Sequence, residues 1–79
     1  MRYKIEVKLK PEVLDPEGRA ILNMVHGQGL DKIRQIAAYK TFLVDVEDEH
    51  PNPKEAAEQI AKDYLTNPVS HTYSITEVH

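Results

Sequence analysis

Polar and apolar residues alternate from the second position of the chain. Tyr3, Ile5, Val7 and Leu9 fall on one side, and Arg2, Lys4, Glu6, Lys8 and Lys10 on the other. A period of two puts one face on a core and the other in water, which predicts a strand ending at Pro11. Asp15-Pro16 then starts a helix. Aspartate at the N-cap accepts backbone N–H groups, and proline at the first helical position gives up no hydrogen bond. Ala20, Ile21, Met24 and Val25 recur at helical spacing as one apolar stripe. Gly27 and Gly29 close the helix, because glycine tolerates the left-handed backbone found just past helix ends.

The next segment follows neither period cleanly. Asp31 to Ala38 carries Ile33, Ile36 and Ala37 as its apolar positions and reads as a strand bulged near Gln35. Tyr39-Lys40 would be its tight connection to a clearer strand over Thr41 to Glu47. There Phe42, Val44 and Val46 point inward and Thr41, Asp45 and Glu47 outward. Tyr39-Lys40 is an unusual choice for such a turn, since neither residue favours positive φ. After the polar loop Asp48-Glu49-His50-Pro51, Asn52-Pro53 repeats the helix start, with Glu55 placed to complete a capping box. Ala56, Ala57, Ile60, Ala61, Tyr64 and Leu65 form the second stripe. Asn67-Pro68 stops that helix. Val69, His71, Tyr73 and Ile75 then alternate with Ser70, Thr72, Ser74 and Thr76 as a last strand.

The predicted order is therefore βαββαβ. It implies an α+β, ferredoxin-like fold: one four-stranded antiparallel sheet with both helices on one face. The first and third strands would be central, the second and fourth at the edges.

Length and charge narrow what such a fold does. The 79 residues make a single domain, 1–79. A chain this short buries only about 60–65% of its unfolded surface, so outside support is common. Cysteine is absent, which excludes disulfides and thiolate metal sites and leaves oligomerisation as the expected support. A net charge of -3 argues against a nucleic-acid partner. No apolar run approaches a membrane span, and the first residues do not resemble a signal peptide, so a cytoplasmic location is expected.

Catalytic chemistry is hard to find. His26, His50, His71 and His79 do not fall at metal-ligand spacings, and no metal site is expected. His71 lies on the otherwise apolar face of the last strand, where a satisfied, partly buried imidazole is the simplest reading. Ser70 and Ser74 alternate along a strand and lack the shaped turn and base of a nucleophile. Gly18, Gly27 and Gly29 do not form a phosphate-cradling loop. Asp45, Glu47, Asp48 and Glu49 read as a solvated loop entrance.

Two features remain. Glycine in the first turn of a helix costs about 1 kcal/mol against alanine, yet Gly18 stands there, followed by Arg19. Lys8 and Lys10 lie at the other end of the same loop. Together with Asp15, itself mainly structural, they make a candidate partner-binding patch for a carboxylate or phosphate. The second feature is the last strand. Its outward face, Ser70, Thr72, Ser74 and Thr76, carries no charge, and no lysine or proline protects it internally. Such an edge suits self-association.

Lys8-Leu9-Lys10-Pro11, Asp15-Pro16 with Gly18-Arg19-Ala20, and Asn67-Pro68-Val69 together resemble the PurS family, as do Gly29 and Lys40. The likeness runs from Tyr3 to Glu77; Tyr39 departs from it, where glycine is common. The resemblance implies a non-catalytic subunit of formylglycinamidine ribonucleotide (FGAM) synthase, an ATP- and glutamine-dependent ligase of purine biosynthesis. It implies a homodimer or homotetramer that bridges a PurL-like synthetase and a PurQ-like glutaminase and aids ammonia transfer. No cofactor is expected in this chain, since ATP and Mg belong to the large partner subunit. The competing reading is an ACT-like regulatory domain, which shares the βαββαβ order and binds a small effector at a dimer interface. A standalone enzyme is the weakest reading.

Overall fold

A computed structural model describes all 79 residues. Strand β1 (Arg2–Leu9) is central, with β2 (Lys40–Asp45) and β3 (His71–Val78) antiparallel on either side. The register sets Ile5 between Phe42 and Ile75, Tyr3 between Val44 and Glu77, and Val7 between Lys40 and Tyr73. Directly opposed residues share a face. The alternation of β1 therefore chooses the inner surface, and Tyr3, Ile5 and Val7 are buried on it.

Helix α1 spans Pro16–Gly27 and α2 spans Pro53–Ile60. The second continues into a wider π-helical turn over Ala61–Leu65. Ala57 and Ala61, four residues apart, are buried; Ala61 joins Ile5 and Val7 in the core, with Phe42, Val44, Leu65 and Ile75 packed around them. Two small alanines let the helix approach the sheet closely. The turn ends where the Thr66 hydroxyl donates to the carbonyls of Ala61 (2.9 Å) and Lys62 (3.3 Å).

The expected four-stranded sheet is not what forms. The sheet has three strands, in the order β2-β1-β3, and the element order is βαβαβ. Asp31 to Ala38 pairs with no strand. A two-residue hairpin at Tyr39-Lys40 would need positive φ, and the only positive φ in the chain is that of Gly29, at +88°. The chain therefore runs into β2 without a hairpin turn, and the expected edge strand lies along α1. What remains is the predicted sheet less one edge: β1 stays central, while the strand expected beside it in the middle becomes an edge.

Smaller departures have local causes. Asn52 caps α2 only through its backbone, because its N–H donates to His50 Nδ1 at 3.0 Å and its side chain makes no capping bond. Tyr64, expected on the inner stripe, is 79% exposed. It lies in the π-helical turn, where the wider winding breaks the 3.6-residue spacing on which the stripe was drawn. Val69 is exposed in the turn before β3.

The molecule is long and thin. Its Cα trace measures 53 × 28 × 13 Å with a radius of gyration of 16.2 Å, where a compact chain of this length has about 12 Å. The excess is an arm: Gly18 is the only buried residue of α1, and the apolar Met24 is 64% exposed. The arm's far end is a Schellman turn. Gly29 N–H donates to His26 O (3.0 Å) and Leu30 N–H to Val25 O (3.3 Å), with Gly29 left-handed as that motif requires. The chain then returns along the helix, where His26 Nε2 donates to Ile33 O at 2.7 Å. No helix is long and apolar enough to cross a membrane.

Candidate partner-binding site

The loop between β1 and α1 is held at both ends by hydrogen bonds. Lys10 N–H donates to Ser70 O (2.9 Å) and its Nζ to Pro68 O (2.8 Å), which ties the loop to the entrance of β3. Val13 N–H closes a turn onto Lys10 O at 2.9 Å. Asp15 then does two things at once. One carboxylate oxygen caps α1 by accepting Gly18 N–H at 2.9 Å; the other accepts Ala38 N–H, also at 2.9 Å, from the returning segment. The N–H groups of Ala38 and Gly18 hold this carboxyl below the usual range.

Gly18 is explained by the same junction. It is buried, and a Cβ placed on it would lie 2.1 Å from the carbonyl oxygen of Ile36. The close approach that a first-turn glycine suggests is therefore made by this chain's own backbone. Any side chain there would push the returning segment off α1.

Beside the junction opens a cleft of about 260 Å³. Val7, Leu9, Phe42 and Leu65 form its apolar floor; Lys8, Glu17, Tyr39, Lys40 and His71 bring polar groups to it. Lys8 Nζ stands 5.9 Å from the centre of the Tyr39 ring, within cation–π range. His71 is half-buried on the inner face opposite Leu9. Its Nδ1 accepts Asn67 N–H at 2.9 Å, so the neutral ring carries its proton on Nε2. It is the satisfied histidine that the sequence suggested.

The five residues expected to make one patch are thus divided. Lys8 and Asp15 line the cleft, while Arg19 lines a shallower groove with Pro11, Leu14, Leu22 and Ile36. Lys10 is occupied by Pro68, and Gly18 is covered. Tyr39 and Lys40 join the cleft without having been singled out for binding. The sequence signal for them is weak, because Lys40 faces the cleft only through its register opposite Val7.

Thr72, Ser74 and Thr76 lie on the outer face, opposite Lys8, Glu6 and Lys4. The far edge of β3 has no neighbouring strand. Ser70 precedes the strand, in the turn closed by Asn67. Of the carboxylates near the end of β2, Asp45 pairs with Arg2 at 2.7 Å, and Glu47 and Glu49 have no ionic partner. No group of three or more potential ligands is arranged to hold a metal ion.

A family model described as "PurS: Phosphoribosylformylglycinamidine (FGAM) synthase" matches residues 2–79. Among relatives, the phosphoribosylformylglycinamidine synthase subunit PurS of Methanocaldococcus jannaschii is 37% identical over 70 residues, covering 87% of this chain and 84% of that protein. The crystal structure of PurS from the same organism superposes with a TM-score of 0.81 at 33% identity, covering 95% and 92% of the two chains. A chain from the structure of PurLQS from Thermotoga maritima shares the fold at a TM-score of 0.73 and 20% identity, covering 98% and 95%. None of these likenesses favours the effector-binding regulatory reading.

Proposed function

This chain belongs to the PurS family, and from that premise we propose that it is the bridging subunit of its synthase, docking a glutaminase against a synthetase and helping to confine ammonia between them. It is a subunit of FGAM synthase, the ATP- and glutamine-dependent ligase of purine biosynthesis. The observation that carries the bridging role is the family match along the whole chain; the Thermotoga maritima assembly named PurLQS supports it. The thin body and projecting arm fit the role, since they expose more surface than a compact domain of this length.

The partner-facing region is the β1–α1 junction. Lys8 offers charge at the cleft and Arg19 at the neighbouring groove, with Lys10, Asp15 and Gly18 setting the shape between them. The chain itself needs no cofactor, and ATP and Mg act on the large subunit. Its place is the cytoplasm. It works as a homodimer or homotetramer, with the uncharged face of Ser70, Thr72, Ser74 and Thr76 as one self-contact.

Gel filtration with PurL-like and PurQ-like subunits, glutamine and Mg-ADP tests the bridge: the three should co-elute. Arg19→Ala should weaken assembly while leaving the isolated chain folded. Normal assembly and full turnover by that variant would remove Arg19 from the interface.

A further inference from the structure

The backbone N–H groups of the turn before β3 converge on one residue. Ser70 N–H and His71 N–H donate to Asn67 O at 3.1 and 2.8 Å, and Val69 N–H donates to Asn67 Oδ1 at 2.9 Å. Pro68 has no N–H to give. Asn67 is itself fixed through its own N–H, whose acceptor is Nδ1 of His71 at 2.9 Å. Residues 67 and 71 therefore close on each other twice, backbone to backbone and backbone to ring. The carbonyls of Pro68 and Ser70 serve another segment: they accept Lys10 Nζ at 2.8 Å and Lys10 N–H at 2.9 Å. One ring nitrogen thus stands at the root of the tether between the β1–α1 loop and the entrance of β3.

That nitrogen accepts only while the ring is neutral. A second proton makes both ring nitrogens donors, and Nδ1–H then faces Asn67 N–H with no lone pair between them. The other histidines are not placed to act this way. His26 donates to Ile33 O and keeps that bond when charged. His50 Nδ1 accepts Asn52 N–H at 3.0 Å, but it joins residues two apart and ties nothing distant. His79 is the exposed last residue. Around His71, the cleft brings Lys8 from β1, Lys40 from β2, and Asp15, Glu17 and Tyr39 from the junction, while the π-helical turn presents apolar Leu65. Lys10 lies across the turn, and Tyr73 follows on the same face of β3. None of these side chains hydrogen-bonds or ion-pairs with the ring, so the state of Nδ1 is passed on through Asn67.

Resting on the partner-facing junction proposed above, we infer that His71 is a proton-operated clasp and a positioning residue for assembly. The neutral ring holds the turn 67–70, and with it Lys10 and the β1–α1 junction; ring protonation lets them go. The clasp is closed on the alkaline side of the ring's titration and opens as pH falls through it. Opening deprives the junction of both bonds to the entrance of β3 and leaves Asp15 as its anchor. Lys8 and Arg19 are then no longer held in one arrangement, so a partner that contacts both must order them on binding and binds less tightly.

The full chain tests the clasp without any partner. Between about pH 8 and 5, the span in which histidines titrate, nitrogen NMR should show the His71 proton on Nε2 and then the charged ring. Protection of the Asn67 and Lys10 amides, measured against their intrinsic exchange rates at each pH, should fall about two- to tenfold along the same curve, the worth of one hydrogen bond. His71→Asn sets a carboxamide oxygen on the same carbon that carries Nδ1, so it should keep the protection and erase the pH step. His71→Phe keeps a ring in the cleft without an acceptor and should lower protection at every pH. Ring protonation that leaves both amides protected, or a step that persists in His71→Asn, would overturn the clasp. Co-elution with the synthetase and glutaminase subunits reads the consequence: at neutral pH the His71→Phe chain should assemble less well, and His71→Asn normally. A clasp that opens with assembly unchanged would instead remove the β1–α1 junction from the partner surface.

Discussion

The sheet half and the arm are built on different principles. In the sheet half, Tyr3, Ile5, Val7, Ala57 and Ala61 are buried, and Ile5, Val7 and Ala61 pack with Phe42, Val44, Leu65 and Ile75 into one core. In the arm, Gly18 is the only buried residue, and Met24 is 64% exposed. What holds α1 to the returning segment is polar and local: the two-sided carboxylate of Asp15, the Gly18–Ile36 approach and the His26–Ile33 bond. Burial gains with every methylene removed from water, whereas a solvent-facing hydrogen bond largely exchanges one partner for another. The arm is therefore the weaker half, and Met24, Leu30 and Ile33 stay exposed on it.

The contrast is broken most forcefully from the core. Ile5→Ala removes a fully buried side chain and should cost about 2–5 kcal/mol, read as a lower urea midpoint. Met24→Ala in the arm should leave that midpoint within about 0.5 kcal/mol. Equal losses at the two sites would show that the arm belongs to the same core.

Gly18→Ala comes next. The added methyl meets the Ile36 carbonyl, and the strain should cost about 1–3 kcal/mol. Its signature is regional: amide exchange in α1 and residues 31–39 should quicken while β1 keeps its protection. Uniform quickening would join the two halves into one cooperative unit.

Acid should separate them too. The Asp15 carboxyl titrates below the usual range when folded, because the Ala38 and Gly18 N–H groups favour its charged form. Its contribution is complete above the unfolded carboxyl pKa and is lost as pH falls through the lower folded value. Protection of the Ala38 and Gly18 amides, measured against their intrinsic exchange rates at each pH, should therefore fall in acid, in a step that Asp15→Asn abolishes. A step that survives that substitution would assign the effect to another group. The smallest effect belongs to the exposed Arg2–Asp45 pair: Arg2→Ala should leave thermal unfolding unchanged within error, as exposed ion pairs do.

Legibility in the sequence follows the same division. The period-two pattern of β1 and the cap at Asp15-Pro16 were readable because each is decided by neighbours within a few residues. The segment Asp31 to Ala38 was not, because a strand exists only beside another strand. Its apolar residues are compatible with an edge, yet Tyr39-Lys40 does not supply the turn that would bring it there. Tyr64 leaves the apolar stripe because a π-helical turn shifts helical spacing without leaving a mark in residue types.

The candidate site was half legible. Gly18 signalled a close approach, and the structure shows that Ile36 makes it. Lys8 and Asp15 were in view, while Tyr39 and Lys40 reach the same cleft through the β1–β2 register and the path of the returning chain. Lys10 carried charge that suggested a partner, but its Nζ is taken by Pro68 O.

Alternation, capping residues and the family motifs thus determined by themselves the two helices, the three strands that form and the membership in a synthase of purine biosynthesis. The tertiary structure decided that the sheet stops at three strands, that α1 stands away from it, and which loop residues share a cleft. Local pattern is set by interactions across a few residues of backbone. Strand number, helix docking and register depend on which distant segments find a partner, and one chain holds too little apolar surface to supply them all.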